Sequence, residues 1–465
     1  MCSSNANEVI NMRKSQSSML SGSLFSGIIF YTIPIILTGL LQLLFNAADL
    51  IVVGRFCGSV SIAAVSATGT ITNLIVNMFM GLSVGAGVSV AHGLGGNRSE
   101  EVRKTVHTAL PTAFVGGVIL TVIGVVFAKD FLVLMKTPES VLPLSTTYMQ
   151  IYFGGIIFSM IYNFSASILR AAGDTKSPLL FLTIAGVINV MLNLVFVTVF
   201  HMNVAGVALA TTISQAVAAV LVVIALTKRT DACKLYLGKL RFYKAPLLKM
   251  IRIGLPAGIQ GSLFSISNVI IQSSINSFGS EALISGTGAA SNLEGFVYVT
   301  MNSFCQTSLN YTGQNAGAHQ YERVKKAFGI NLMYVAAIGI FLSTIIYTFG
   351  RQLLSIYIVD SQEAISYGII RFNYVCLPYF LCGLMEVSTG ALRGLGASFI
   401  PMCISVLGIC GIRIGWIYTI FQVPQYHTPN CLYLSYSITW IITFLAQTIA
   451  LFIIYRKKTR TDLQI

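Results

Sequence analysis

Leu169-Arg-Ala-Ala-Gly-Asp-Thr-Lys-Ser-Pro178 returns as Leu392-Arg-Gly-Leu-Gly-Ala-Ser-Phe-Ile-Pro401, with Leu, Arg, Gly and Pro at identical spacing and a displacement of 223 residues. Ile33-Pro34 answers to Leu255-Pro256 at a displacement of 222. Gly96-Asn-Arg-Ser-Glu-Glu101 answers to Gly317-Ala-His-Gln-Tyr-Glu322 at 221. Three echoes in order along the chain, at nearly constant offset, read as a duplicated half. In an apolar chain, duplicated halves are how many transporters build a substrate site between two lobes.

The chain is apolar: hydrophobic residues make up 55% of its 465 residues, charged ones 9%, and the mean hydropathy is +0.78. A soluble domain carries about 25% charged residues. Runs long enough to cross a bilayer, about 20 residues, recur at 24–53, 61–91, 106–128, 145–169, 179–200 and 204–227. They recur again at 247–278, 283–311, 327–349, 365–391, 399–421 and 432–456. The expectation is an all-α membrane protein of twelve transmembrane helices in two six-helix repeats. Its N-terminal lobe is 1–230 and its C-terminal lobe 231–465, with a basic linker around 228–246. The polar segment 1–23 lacks the apolar core and cleavage site of a signal peptide. The cysteines are scattered, without a Cys-x-x-Cys or a Cys/His cluster, so they read as small packing residues and no metal site is expected.

The net charge of +14 does not indicate nucleic acid. If both termini are cytoplasmic, 23 of the 29 Lys and Arg fall on the inside: Arg13, Lys14, Arg98, Arg103, Lys104, Arg170, Lys176, the eight of 228–252, Arg323, Lys325, Lys326, Arg393 and four of 456–460. Only Arg55, Lys129, Lys136 and Arg351 fall outside, and Arg371 and Arg413 lie within helices. This positive-inside bias orients the chain in the cell membrane, with anionic lipid headgroups as secondary partners. With six helices each, both halves enter from the same side, as parallel repeats.

Three of the fifteen acids, Asp49, Glu294 and Glu386, fall inside spans. With Arg413 they are the expensive groups, since a mid-bilayer charge costs at least about 2.5–3.5 kcal/mol. Thr38, Gln42, Asn46 and Asp49 form a polar stripe after Pro34, whose missing N–H invites a bend. Ser265, Asn268, Gln272 and Asn276 echo it after Pro256, and Glu294, Tyr298 and Asn302 share a face of helix 8. Such stripes serve either a binding site or hydrogen bonding between helices. Arg413 either joins the site or neutralises Glu386 or Glu294, and Arg371, near an outer helix end, can snorkel to the interface and is assigned no role. No Gly-x-x-x-x-Gly-Lys-Ser/Thr segment is present, so an ATPase is not indicated and no enzyme is expected. A carboxylate in a low-dielectric cavity can exchange a proton for a cation, the chemistry of coupled antiport.

These residues resemble the multidrug and toxic compound extrusion (MATE) family. The resemblance rests on Pro34 through Asn46-Ala-Ala-Asp49-Leu-Ile-Val-Val-Gly54, Gly93-Leu-Gly-Gly-Asn97, Gly313-Gln-Asn-Ala-Gly-Ala318 and Leu392-Arg-Gly-Leu-Gly396. It implies a V-shaped, two-lobed transporter that exports organic cations in exchange for H⁺ or Na⁺, with no other cofactor. It also implies a cation-coupling site at Asp49, Tyr148, Asn189, Asn193 and Thr211. Asn193 stands where the family has a second carboxylate, and Phe264-Ser265 where some relatives have a Glu. Glu294 and Glu386 are read as replacements from the other lobe, with Glu294 counted among the cation-coupling residues.

The substrate-contacting set is then Gln42, Asn46, Asn268, Gln272, Glu294, Tyr298, Glu386 and Arg413, with Pro34 and Pro256 as conformational elements. Three acids against one buried arginine make the interior net acidic, which favours cationic substrates. The leading expectation is a monomeric drug/H⁺ or drug/Na⁺ antiporter. Two alternatives stay open: a lipid-linked oligosaccharide flippase, and a membrane sensor or scaffold. The two halves share their prolines, glycines and loop arginines but not their charges: Asp49 stands opposite Ile271, Glu386 opposite Asn163 and Arg413 opposite Val190.

Overall fold

The computed structural model describes residues 19–358 and 361–462. Arg13 and Lys14 of the charge count lie outside them. The described chain is helical, in the twelve spans expected from the sequence. They are α1 (Leu24–Cys57), α2 (Ser59–Gly95), α3 (Ser99–Val126), α4 (Leu142–Gly154 with Ile156–Ala171), α5 (Lys176–Val199) and α6 (Asn203–Lys228). The second six are α7 (Lys244–Asn276), α8 (Glu281–Gly317), α9 (Tyr321–Ser355), α10 (Gln362–Cys376 with Tyr379–Gly394), α11 (Phe399–Gln422) and α12 (Pro429–Asp462). Helices are forced here because a backbone in lipid must satisfy its own hydrogen bonds.

Among the described residues nine helices are long and apolar enough to cross a membrane, eleven with the bent pairs α4 and α10 counted as one span each. The twelfth, α8, is the least apolar. Its second half buries Thr307, Ser308, Asn310, Thr312, Gln314 and Asn315 at 2% exposure or less. A stretch enclosed by protein needs no lipid-facing surface, which is why this half of α8 keeps so many polar side chains.

The duplication is also visible in the backbone. Left-handed residues follow the ends of α1 and α7 at Gly58 and Gly279, of α2 and α8 at Asn97 and His319, and of α4 and α10 at Gly173 and Gly396. Each pair keeps the 221 to 223 displacement of the sequence echoes. The breaks in α4 (46°) and α10 (41°) are equivalent too, at Gly155 and at Leu377-Pro378. Pro34 and Pro256, by contrast, lie inside unbroken helices.

Two compact units result: Ile33–Ser262 is one, and Gly22–Thr32 with the chain from Leu263 onward is the other. Each unit takes the start of one helix from the other repeat. The first turns of α1 belong to the second unit, and the first turns of α7 belong to the first. The expected division after residue 230 falls inside the first unit, because the linker and the start of α7 are tied to α3. Tyr236 N–H donates to His107 Nε2 (3.1 Å), Tyr243 N–H to Thr108 Oγ1 (3.2 Å), and Lys249 Nζ to Glu101 (2.8 Å).

Beyond that point Gly81 and Gly85 of α2 meet Gly254 and Gly258 of α7 backbone to backbone. A Cβ on Gly81 would stand 2.2 Å from Gly258 N, and one on Gly85 would stand 2.2 Å from Met250 O and 2.9 Å from Gly254 N. In the second unit the equivalent positions, displaced by 222, are Thr32 and Thr307, whose hydroxyls hydrogen-bond at 2.8 Å. One repeat closes this crossing with bare backbone and the other with a polar contact.

A methyl group at Gly81 has nowhere to go, and overpacking costs about 1–3 kcal/mol. Gly81→Ala should lower the thermal unfolding midpoint of the detergent-purified protein. Gly288→Ala, with open space at its Cβ, should leave it unchanged. Equal midpoints in both variants would show that the α2–α7 contact is loose.

Candidate functional site

In the first unit, α1 carries Asp49 at 8% exposure, directly against α5 and α6. The approach depends on Gly186 of α5, where a Cβ would stand 1.8 Å from the ring of Phe45, one turn before Asp49. The Asn193 amide donates to one Asp49 carboxylate oxygen, and the Thr211 hydroxyl faces the other at 3.3 Å. Asn189 Nδ2 donates to Thr211 Oγ1 (3.2 Å), and Asn193 Nδ2 also lies 3.3 Å from Asn189 Oδ1. Thr211 has a single proton, shared between Asp49 and its own-helix acceptor, Val207 O at 3.0 Å. Asn193 Oδ1 is buried with no donor among the described residues. The result is a largely buried cluster of amide and hydroxyl groups around one carboxylate. Tyr148, on the first half of α4, stacks on Tyr152 (centroids 6.4 Å apart) and lies within electrostatic reach of Asp49. The structure thus brings Asp49, Tyr148, Asn189, Asn193 and Thr211 together.

The rest of the α1 stripe divides. Thr38 is buried and returns its hydroxyl to Pro34 O (2.6 Å), whereas Gln42 and Asn46 are exposed. On the second half of α7, Asn268 and Gln272 are exposed, and Gln272 donates to Asn276 (3.0 Å).

In the second unit the ion pair with Glu294 that was weighed for Arg413 is made by Arg371 instead. Arg371 does not snorkel: it is 5% exposed and grips Glu294 with two bonds, Nε to Oε1 at 2.6 Å and Nη2 to Oε2 at 2.8 Å. The rings of Tyr433 and Tyr436 lie 5.3 and 5.6 Å from its guanidinium. Arg413, equally buried at 4%, pairs with neither Glu294 nor Glu386. Its Nε donates to Thr439 Oγ1 (3.2 Å), and its guanidinium lies 4.0 Å from the centre of the Tyr436 ring. Glu386 is met by Asn302, Cys305 and the charge of Arg393. Tyr298, four residues after Glu294, is 40% exposed.

The charge count therefore changes. Among the described residues two guanidinia, not one, are buried in this unit beside two carboxylates, and the net acidic interior expected from sequence does not hold there. Arg371 and Gly186 are the residues that sequence reasoning passed over. Arg371's position near a span end hid its partner, and nothing in the local pattern distinguished Gly186 from the chain's many other glycines.

Duplicated bundles of membrane-spanning helices with buried ionisable groups define a multi-pass membrane transporter. The MatE family model matches residues 34–195 and 256–419, one match per repeat, each beginning at the equivalent proline. The chain belongs to the MatE family, the multidrug extrusion transporters. It is 28% identical over 399 residues to a probable multidrug resistance protein of Bacillus subtilis, YoeA, covering 84% of this chain and 86% of that one. It is 25% identical over 384 residues to an FAD transporter of Shewanella oneidensis, covering 80% and 82%. Among solved structures, MATE in complex with MaL6 superposes with a TM-score of 0.89 at 19% identity, covering 96% of this chain and 99% of that one. A MOP superfamily transporter from Pyrococcus furiosus, described as having a binding pocket of reverse polarity, gives 0.84 at 19%, covering 96% and 98%.

Removing one partner of a buried ion pair strands the other, which costs about 3–5 kcal/mol. Glu294→Gln and Arg371→Gln should each lower the thermal midpoint sharply, and the double variant should be less damaged than the two single losses added together. Additive losses in this double-mutant cycle would mean that the pair is not coupled.

Proposed function

We propose that the chain is a secondary active efflux antiporter of the cell membrane, with both termini cytoplasmic, acting as a monomer. It exchanges H⁺ or Na⁺ for small organic compounds, cationic ones among them. The observation that carries this reading is the Asp49 cluster: a single buried carboxylate beside Asn193 Oδ1, an acceptor with no donor among the described residues. A buried acceptor left unmade costs about 1–3 kcal/mol, and a cation or proton arriving at Asp49 relieves that deficit and neutralises the carboxylate together. Oxygens of Asn189, Asn193 and Thr211 complete the shell a cation needs.

Coupling follows by competition. With Asp49 charged, its bonds to Asn193 and Thr211 hold α1 against α5 and α6. With a cation or proton bound, those bonds are redistributed and substrate is released, and rocking of the lobes returns the site inward. The exposed polar groups Gln42, Asn46, Asn268, Gln272 and Tyr298 are the surfaces offered to substrate, with Glu386 within electrostatic reach of Tyr298. A flippase for a pyrophosphate-linked lipid is the second reading, favoured by the buried guanidinia; Arg371 is already neutralised by Glu294, which weakens it.

Asp49→Asn should abolish efflux of a cationic dye from proteoliposomes while the protein still folds and inserts. An imposed pH gradient and then an imposed Na⁺ gradient, applied to the wild type, identify the coupling ion. Efflux at the wild-type rate by the Asp49→Asn variant would remove Asp49 from the mechanism. Movement of a lipid-linked pyrophosphate without dye efflux would favour the flippase.

A further inference from the structure

Arg413 is a buried cation without a counter-charge among the described residues. It lies on α11 just after the π-helical stretch Val406–Gly411, and only its Nε is used, on Thr439. A guanidinium has five N–H donors. The four on Nη1 and Nη2 meet no acceptor among the described residues, yet those nitrogens are not fully enclosed. No described carboxylate lies within 4.0 Å of Arg413. Its charged and titratable neighbours are Tyr436, Cys382, Cys410 and Tyr379, from α12, α10 and α11, and none of these types is ordinarily ionised at neutral pH.

The nearby acids are already engaged. Glu294 gives both oxygens to Arg371, and Glu386 is met by Asn302, Cys305 and Arg393. Tyr436 deepens the imbalance: its ring serves both Arg371 and Arg413, so two cations share one ring beside a single carboxylate. Arginine cannot escape by losing its proton, and a ring face offsets only part of the loss of hydration.

One member of this neighbourhood is exposed. Tyr298 is 40% exposed although its electrostatic neighbours Tyr379, Cys382 and Glu386 are buried at 8% or less. Tyr298 thus brings exposed ring surface within electrostatic reach of Cys382 and Tyr379, two of the residues that surround Arg413.

We infer that Arg413 receives an oxyanion of the transported solute, a carboxylate or a phosphate, so that the substrates include anionic and zwitterionic organic compounds. The planar fork of free Nη donors fits either group with two parallel bonds. This rests on the efflux reading and extends it: Asp49 handles the coupling ion in one unit, while Arg413 selects solute charge in the other.

The test uses the full chain, purified and reconstituted in phosphatidylcholine alone, so that no anionic lipid supplies the group. Carboxyfluorescein (carboxylate), flavin mononucleotide (phosphate) and ethidium (cation) are the probes, for gradient-driven transport and for equilibrium binding in detergent. Arg413→Gln should weaken binding and subsaturating transport of the anionic probes at least about tenfold and leave ethidium unchanged, with Arg413→Lys between. Loss with only one anionic probe identifies which oxyanion the site takes. Equal binding of both anionic probes by wild type and Arg413→Gln overturns the inference, whatever the transport result. So does parallel loss for all three probes in an Arg413→Gln protein of unchanged thermal midpoint. A wild type that binds anionic probes through Arg413 but moves none under any gradient refutes efflux and leaves the site standing.

Discussion

The contact on which the architecture depends is the crossing at the start of α1 and α7. Gly81 and Gly85 let α7 lie backbone against backbone on α2, and Thr32 and Thr307 close the equivalent contact between α1 and α8. In lipid no hydrophobic driving force sorts one helix from another, so packing of small residues and interhelical hydrogen bonds must do it. The consequence reaches the candidate site. Because α1 begins in one unit and ends in the other, Asp49 stands on a helix whose first turns are packed elsewhere. Pro34 follows the change of unit by a single residue. Its missing donor loosens one hydrogen bond of an otherwise continuous helix, a fitting place for the chain to leave one packing environment for another.

The duplication was legible because scaffold residues answer to local rules. A left-handed residue after a helix, a break at Gly155 or Pro378 and a proline near a helix start recur wherever the same turn recurs, and they keep their spacing. Spans were legible for the same reason: length and hydropathy are local. The grouping of Asp49, Asn189, Asn193 and Thr211 was accessible through the family resemblance. Their spacings of 140, 4 and 18 residues carry no geometric message of their own.

Partner choice between distant helices was not legible. Arg371 and Glu294 are separated by 77 residues, and the choice of Arg371 over Arg413 is made by the packing of α8 on α10. Near a span end, an arginine has two outcomes, the headgroup region or an interior acid, and only the fold decides between them. The glycine contacts failed differently. Gly81 and Gly85, like Gly254 and Gly258, are spaced by four, but such spacings are common in membrane helices, and nothing in them pairs α2 with α7.

The two units solve one electrostatic problem in opposite ways. A lone charge in a low-dielectric interior is expensive, and it is retained only where something compensates it. The first unit surrounds one carboxylate with neutral amide and hydroxyl groups, which stabilise an anion without fixing its charge state, so a small cation or proton can still be exchanged. The second unit makes a permanent pair of Glu294 and Arg371, whose charge is spent on structure, and leaves Arg413 with an aromatic face and free donors. A permanent pair is a poor exchanger, because releasing either member strands the other. On the antiport reading proposed above, exchange chemistry belongs with Asp49, and recognition of solute charge belongs with the groups that the Glu294–Arg371 pair leaves unmatched.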